Sequence, residues 1–333
     1  MESIKNVFVI GYGPSSSHTI APGRAAQWVK DNYPGLTKVK VTLFGSLAWT
    51  GEGHGTDKII KKVFKGIETE VVLDRETVRE HILTMDFEGI ANGHGFKETI
   101  ISLGGGSIAN LKDIDKPKVD IYPETSITAI LHDCRVNGLS IPQYVIQQEG
   151  PDIVPYMNKV LKTMEKNIER GIKNEGVLPG KLHVKRRAKG IFEASIQAEN
   201  NAEYQAMAAS FAVAEENASG SIVVTAPTCG SCGVIPGIVR YLTVHGVPRK
   251  KIVEGLMVAG IFGAAIKTNA TVSGAVAGCQ AEIGSAAAMG AAMISYCFNA
   301  HYYAIAQSAE IFPGVKAKAC SIAKRSCTLA IFN

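Results

Sequence analysis

The 333-residue sequence lacks an even set of cysteines, a strong excess of one charge and an internal repeat. Its seven cysteines are an odd number, and the opening MESIKNVFVIGYG is too glycine-rich, with too short an apolar run, for a signal peptide. A disulfide framework is therefore not expected, and the thiols read as free, catalytic or metal-binding in a cytoplasmic protein. The formal net charge of +5 is small and spread along the chain. Its densest run, Lys185, Arg186, Arg187 and Lys189, reads as a solvated basic loop, so no nucleic-acid partner is expected. From Ile283 to Ala309 there is no Asp, Glu, Lys or Arg, but Gly, Ala, Ser, Asn299, His301 and Gln307 leave the stretch only weakly apolar. It reads as small-residue helices packed in a core, with no membrane partner. No solenoid period is visible.

With 46% apolar and 20% charged residues, the chain is long enough to bury a sizeable core and to form about two domains. Residues 1 to about 112 alternate strand-like pieces (NVFVI, KVKVTLF) with helix-like ones (Ala21 to Lys30, IIKKVF). FKETIISLGGGSIAN adds a strand running into Gly104, Gly105 and Gly106, where the backbone can take conformations closed to other residues or let something approach closely. The polar KDIDKPKVDIYPE is the preferred linker. Beyond it the pattern turns helical, with Ile153, Met157, Val160, Leu161, Met164, Ile168 and Ile172 on one face, and IVVT at Ile222 to Thr225 as one short strand. The expected architecture is α+β: a small α/β domain over residues 1–120 and a mainly α-helical domain over 121–333.

Four stretches carry candidate chemistry. GPSSSHT, Gly13 to Thr19, lies between a strand and a helix, so its hydroxyls and backbone N–H groups would gather at a helix N-terminus that suits a carboxylate or phosphate; a plain serine-rich cap is the alternative. TGEGHGTDK places His54, Thr56 and Asp57 in a glycine-rich turn before IIKKVF, where His54 and Asp57 are candidates for proton transfer, although a loop histidine is commonly just a surface residue. APTCGSCGVIPG holds Cys229 and Cys232 as C-x-x-C before a helix, which fits a thiol–disulfide exchanger or, more simply, two small buried thiols; a zinc site would need two further ligands that the neighbourhood does not offer. KTNATVSGAVAGCQAEIGSAAAMGAA surrounds Cys279, Gln280 and Glu282 with small residues that permit close approach of a bulky group, with Cys279 suited to a cluster ligand.

In their order, GPSSSHT, LFGSLAWTGEGHGTDK, LGGGSI, EGVLPGKLHVKRRA, VVTAPTCGSCGVIPG and TNATVSGAVAGCQAEIGSA resemble the single-chain iron–sulfur L-serine dehydratases, from about residue 3 to about residue 310. The resemblance implies a substrate-sensing-type N-terminal domain and a helical catalytic domain holding a 4Fe-4S cluster, with no pyridoxal phosphate. It implies deamination of L-serine to pyruvate and ammonia, in amino-acid degradation and gluconeogenesis, by a homodimer. In such a cluster three irons carry cysteine ligands and the fourth acts as a Lewis acid on the serine hydroxyl. Carried over residue by residue, Ser15, Ser16, Ser17, His18 and Thr19 hold the substrate carboxylate, and His54, Thr56 and Asp57 handle protons. Lys267, Thr268, Asn269 and Ser273 line the pocket, and Cys279 is the first cluster ligand. Cys229 and Cys232 are left unassigned, because relatives often carry other residues there.

The tail departs from the pattern. Where relatives continue with a TCDP stretch and a final PC pair that supply the other two ligands, this chain reads FPGVKAKACSIAKRSCTLAIFN, leaving Cys320 and Cys327 as the remaining thiols. The departure implies an altered C-terminus and opens a second reading, a cluster-free protein that only binds serine or a similar small carboxylate. Desulfuration of L-cysteine is the neighbouring activity within the superfamily.

Overall fold

The computed structural model describes residues 1–113, 120–272 and 274–316. The chain divides into two compact units, Tyr12–Pro117 and a larger one formed by Met1–Gly11 with Lys118–Asn333. The architecture is α+β, a small sheet-bearing unit and a mainly helical one.

The KVKVTLF strand of the α/β unit alternates in polarity, and the alternation sets its faces. In the order of the chain, β1 (Ile10–Tyr12) leads into α1 (Ala21–Asn32), followed by β2 (Leu36–Phe44), α2 (Ser46–His54), α3 (Thr56–Val63), β3 (Glu68–Asp74), β4 (Thr84–Ala91), β5 (His94–Gly104) and β6 (Ser107–Asn110). The five-stranded sheet runs β3-β2-β4-β5-β6, with β2 and β3 parallel and the other neighbours antiparallel. Val39, Val41 and Leu43 of β2 point into a core shared with Ala25, Ala26 and Val29 of α1 and Ile60 of α3. Asn92 and Gly93, both at positive φ, close the β4–β5 hairpin with Ala91 opposite His94, the backbone that a two-residue primed turn requires. The Gly104-Gly105-Gly106 run serves the same purpose between β5 and β6: all three residues have positive φ.

In the helical unit, α4 (Ile127–Val136), α5 (Ile141–Glu149), α6 (Ile153–Lys173), α7 (Ala188–Ser195) and α8 (Asn201–Ala218) precede the short strand β7 (Ile222–Val224). Then come α9 (Val234–Val244), α10 (Arg249–Asn269), α11 (Gly274–Cys297) and α12 (Tyr302–Lys316). The apolar stripe of α6 is buried from Ile153 to Ile168, with Ile172 half-buried. Helix α10 is long and apolar enough to cross a membrane, yet most of it is buried among the unit's own elements. Small residues allow that packing. A Cβ at Gly263 would lie 2.8 Å from Val7 Cγ1 and 2.9 Å from Met289 Sδ, and one at Gly171 of α6 would run into the Ala212 carbonyl oxygen of α8.

Two expectations change. NVFVI does not form a strand through its length: Ile4–Asn6 is a 3-10 turn, and only Ile10–Tyr12 pairs, with β7. The reason is burial, since Ile4, Val7 and Phe8 belong to the helical core. Thr225 latches the segment, its N–H donating to the Val9 carbonyl at 2.9 Å and its hydroxyl to the Val7 carbonyl at 2.7 Å. The basic run is not wholly solvated either. Arg186 turns inward to Glu216, a buried carboxylate that Arg170 also pairs, and Glu215 caps α7 by accepting from Arg187 N.

Candidate functional site

In the α/β unit the two hydroxyl- and histidine-bearing stretches come together. Ser15 ends the approach to a π-helical turn, Ser16–Ile20, and its hydroxyl accepts from His18 N at 3.1 Å. The first N–H groups of this turn, at Ser16 and Ser17, have no intrahelical acceptor, which is the arrangement that suits an anion. The second stretch is not one glycine-rich turn. Thr50 to His54 finish α2, Gly55 makes the joint at φ 66°, and Asp57 stands in the first turn of α3. Short helices form there because Gly55 supplies the left-handed residue that ends one and starts the next.

Reciprocal hydrogen bonds join the two stretches. The Thr19 hydroxyl donates to the His54 carbonyl at 2.9 Å, and the Thr56 hydroxyl, fully buried, donates to the His18 carbonyl at 2.5 Å. The two imidazoles lie with centroids 4.7 Å apart. His18 Nε2 is 2.9 Å from the Ser46 hydroxyl. Burial, and then the neighbouring His54 charge, push the His18 pKa down to about 4 against the opposing hydrogen bond at Ser46, so this ring is neutral near neutral pH. His54 Nδ1 lies 2.9 Å from the Thr50 carbonyl, which only accepts; the network therefore assigns the proton to Nδ1 and the lone pair of the neutral ring to Nε2.

The helical unit joins two further stretches. Glu282, on α11, accepts from the Thr228 hydroxyl and the Gly230 N–H, and a Cβ on Gly230 would lie 2.6 Å from its Oε2. Burial pushes the Glu282 carboxyl up. Cys229 and Cys232 lie in the same loop, both buried, with Cys232 N donating to the Cys229 carbonyl at 3.2 Å. Burial, reinforced by the Glu282 charge, drives the Cys229 thiol well up and the Cys232 thiol to about 12. A thiol–disulfide exchanger needs an accessible sulfur with a depressed pKa, and this pair is the reverse, two protonated buried thiols. The end of α10, expected to line the pocket, is tied down elsewhere in the unit: Lys267 Nζ reaches Glu2 at 3.1 Å, Asn269 Nδ2 donates to the Thr125 carbonyl at 2.8 Å, and Thr268 is exposed.

Ser273, Cys320 and Cys327 lie outside the described residues. Cys279 is placed by its backbone alone, immediately after Gly278, whose φ of 72° and ψ of 175° break α11 into two helical stretches. Among the described residues no three His, Cys, Asp or Glu side chains gather to hold a metal ion. Sequence reasoning passed over Ser46 and Thr228. Ser46 stands in LFGSLAWTGEGHGTDK directly after Gly45, a residue at φ 53° whose Cβ would lie 2.5 Å from the Ile82 carbonyl oxygen, and that forced glycine is the signal that marks the position.

Two family models match the chain, one over much of the sheet-bearing unit and one running through the helical unit. The serine dehydratase beta chain model matches residues 3–72 and the serine dehydratase alpha chain model residues 70–314. The chain belongs to the serine dehydratase family. It is 33% identical to the L-serine dehydratase of Haemophilus influenzae over 93% of this chain and 82% of that protein. It is 31% identical to L-serine dehydratase 2 of Escherichia coli over the same shares, and 30% identical to the L-serine dehydratase of Helicobacter pylori over 93% and 81%.

Proposed function

We infer that this protein deaminates L-serine to pyruvate and ammonia. The observation that carries the reading is the reciprocal lock of Thr19 and Thr56 across the two histidine stretches, which sets an anion-binding turn beside a histidine with a defined basic nitrogen. The names of the relatives support the substrate. In this reading the Ser16 and Ser17 N–H groups and the hydroxyls of Ser15, Ser16, Ser17 and Thr19 bind the serine carboxylate. His18, kept neutral by burial, donates or accepts a hydrogen bond without adding charge. His54 Nε2 takes the α-proton, because Nδ1 is already committed to Thr50. Thr56 holds the His18 backbone in place, and Asp57 at the start of α3 is the remaining proton-handling candidate.

The reading includes a 4Fe-4S cluster and no pyridoxal phosphate. The backbone break at Gly278 supports it: a helix restarting at Cys279 offers unpaired N–H groups and a positive dipole end, the setting that favours a thiolate ligand. Cys279 would hold the cluster, with Cys320 and Cys327 as the further thiols, and Lys267, Thr268, Asn269 and Ser273 lining the pocket. When bound, the cluster supplies a Lewis-acidic iron for the serine hydroxyl. The same reading takes the protein as a cytoplasmic homodimer.

The test is iron, sulfide and pyruvate measured after anaerobic reconstitution of the full chain. About four irons per chain with turnover of L-serine is the expected result. Serine binding with neither cluster nor pyruvate would overturn the enzyme reading and leave a small-carboxylate binder, and turnover of L-cysteine alone would move the activity to desulfuration.

A further inference from the structure

Helices α4 and α12, both in the helical unit, flank a cavity of 510 Å3, a size common among small-molecule sites. Its chemistry is uneven from end to end. Leu131 and Ala306 form an apolar floor, and Tyr303, 68% exposed, offers an aromatic face at the rim. The Tyr302 hydroxyl donates to the Leu139 carbonyl at 2.5 Å, just past the end of α4, which fixes the start of α12 near the end of α4 where Arg135 lies. Arg135 and His132, three residues apart and so on one helical face, both line the cavity, and among the described residues neither side chain has an ion-pair or hydrogen-bond partner. Glu310 lines it too, two turns beyond Tyr302 on α12, roughly 12 Å away along the helix by the rise per residue.

A cationic end, an apolar floor and an acidic far end define a ligand. We propose that the cavity between α4 and α12 binds a small organic monocarboxylate with an aryl or branched-alkyl body, its carboxylate on Arg135 and His132 and its body on Leu131, Ala306 and Tyr303. Arg135 suits a carboxylate through its planar fork of donors. Glu310 repels a second carboxylate at the far end, which selects monoacids over diacids. None of these residues is among those assigned to serine, so the site stands or falls apart from the dehydratase reading.

The experiment is calorimetric titration of the full chain with 3-phenylpropanoate, its neutral amide and the diacid 3-(4-carboxyphenyl)propanoate, whose second carboxylate stands at the far end of the body. The monoacid is expected to bind one per chain, with the amide and the diacid each about tenfold weaker, as for loss of one charge-assisted contact or gain of a like-charge clash. Arg135→Ala is expected to weaken the monoacid about tenfold and Tyr303→Ala several-fold; both side chains are exposed, so unchanged circular dichroism should confirm the fold. Saturating L-serine should not compete. No binding to the wild-type chain, binding indifferent to both variants, or displacement by serine would each overturn the proposal. A groove that takes no acid while the chain self-associates would instead belong to a second copy, and that result also overturns it.

Discussion

In the α/β unit the residues of interest are held by hydrogen bonds between two helical stretches, whereas in the helical unit they are held by close backbone packing. Thr19 and Thr56 each spend a hydroxyl on the other stretch's histidine carbonyl. Around the Thr228 to Cys232 loop the glycines do that work: Gly230 admits Glu282, and a Cβ on Gly233 would lie 2.5 Å from the Ser210 carbonyl oxygen. A hydrogen-bonded lock is directional and fixes the backbone of both stretches, while the Thr50 carbonyl at Nδ1 keeps the neutral His54 ring in one tautomer, which suits proton transfer. Close packing fixes position and excludes water, which pushes Glu282 and both thiols toward their neutral forms. In the proposed reading the two units thus supply different things, one a base and the other a dry wall beside the helix that carries Cys279.

The largest expected effect tests the poised base. His54→Ala should lower turnover of L-serine by about 10²- to 10⁴-fold, the range for losing a general base, while leaving iron content and the melting temperature near wild type. His54 is half-buried and, among the described residues, its ring makes one hydrogen bond, to its own helix, so the fold has little to lose. Full turnover in the variant would assign the proton transfer to another group.

Close packing is tested by Gly171→Ala. The added methyl meets backbone, the Ala212 carbonyl, and backbone cannot rotate away as a side chain can. A loss of about 3 kcal/mol or more is expected, read from denaturant unfolding, because α6 and α8 must separate. Gly190, exposed in α7 with nothing within reach of a Cβ, is the control, and Gly190→Ala should leave stability unchanged or raise it by up to about 1 kcal/mol through helix propensity.

How much of this was legible in sequence differs between the same two regions. The apolar stripe of α6, the strand pattern of β2 and the candidate anion turn at Ser15 to Thr19 are local periodicities and caps, and each was readable from spacing alone. The break in α11 at Gly278 was not, because GAVAGCQAEIGSA is uniformly small and gives no period to interrupt. The helical split of Thr50 to Asp57 was missed for a similar reason: three glycines in TGEGHGTDK read as a loop, although only Gly55 takes a left-handed conformation. Nor does any local signal show that Met1 to Gly11 groups with helices more than a hundred residues away, since that follows from long-range burial of Ile4, Val7 and Phe8. Long-range partners, such as Thr56 for His18, are fixed by tertiary structure and leave no mark on spacing.

The hydrogen-bonded lock also predicts a pH dependence. His18 has a folded pKa of about 4 against 6.5 for a free histidine, so between these values the unfolded chain binds more protons than the folded one. Stability contributed by the neutral ring should therefore be present above pH 6.5 and lost as pH falls toward 4, with a ceiling of about 3 kcal/mol. His18→Gln, which keeps a polar group facing Ser46 without a titrating ring, should flatten that part of the stability profile. A profile unchanged by the substitution would show that the ring does not carry the charge penalty.

The smallest expected effect separates holding from proton transfer at Thr56. Thr56→Val keeps the shape and removes the hydroxyl, leaving the His18 carbonyl short of one donor in a buried setting, which should lower stability by about 1–2 kcal/mol. Thr56→Ser restores the donor and should recover most of that loss. If Thr56 only holds the His18 stretch, the valine variant should lose turnover several-fold at most, chiefly through weaker binding of serine, since the anion turn is what shifts. If its hydroxyl moves a proton in the reaction, turnover should instead fall as steeply as in His54→Ala while the affinity for serine stays the same. The geometry favours the first outcome: the hydroxyl is fully buried and already committed to a carbonyl, so a substrate could reach it only by breaking the bond that ties the two stretches together.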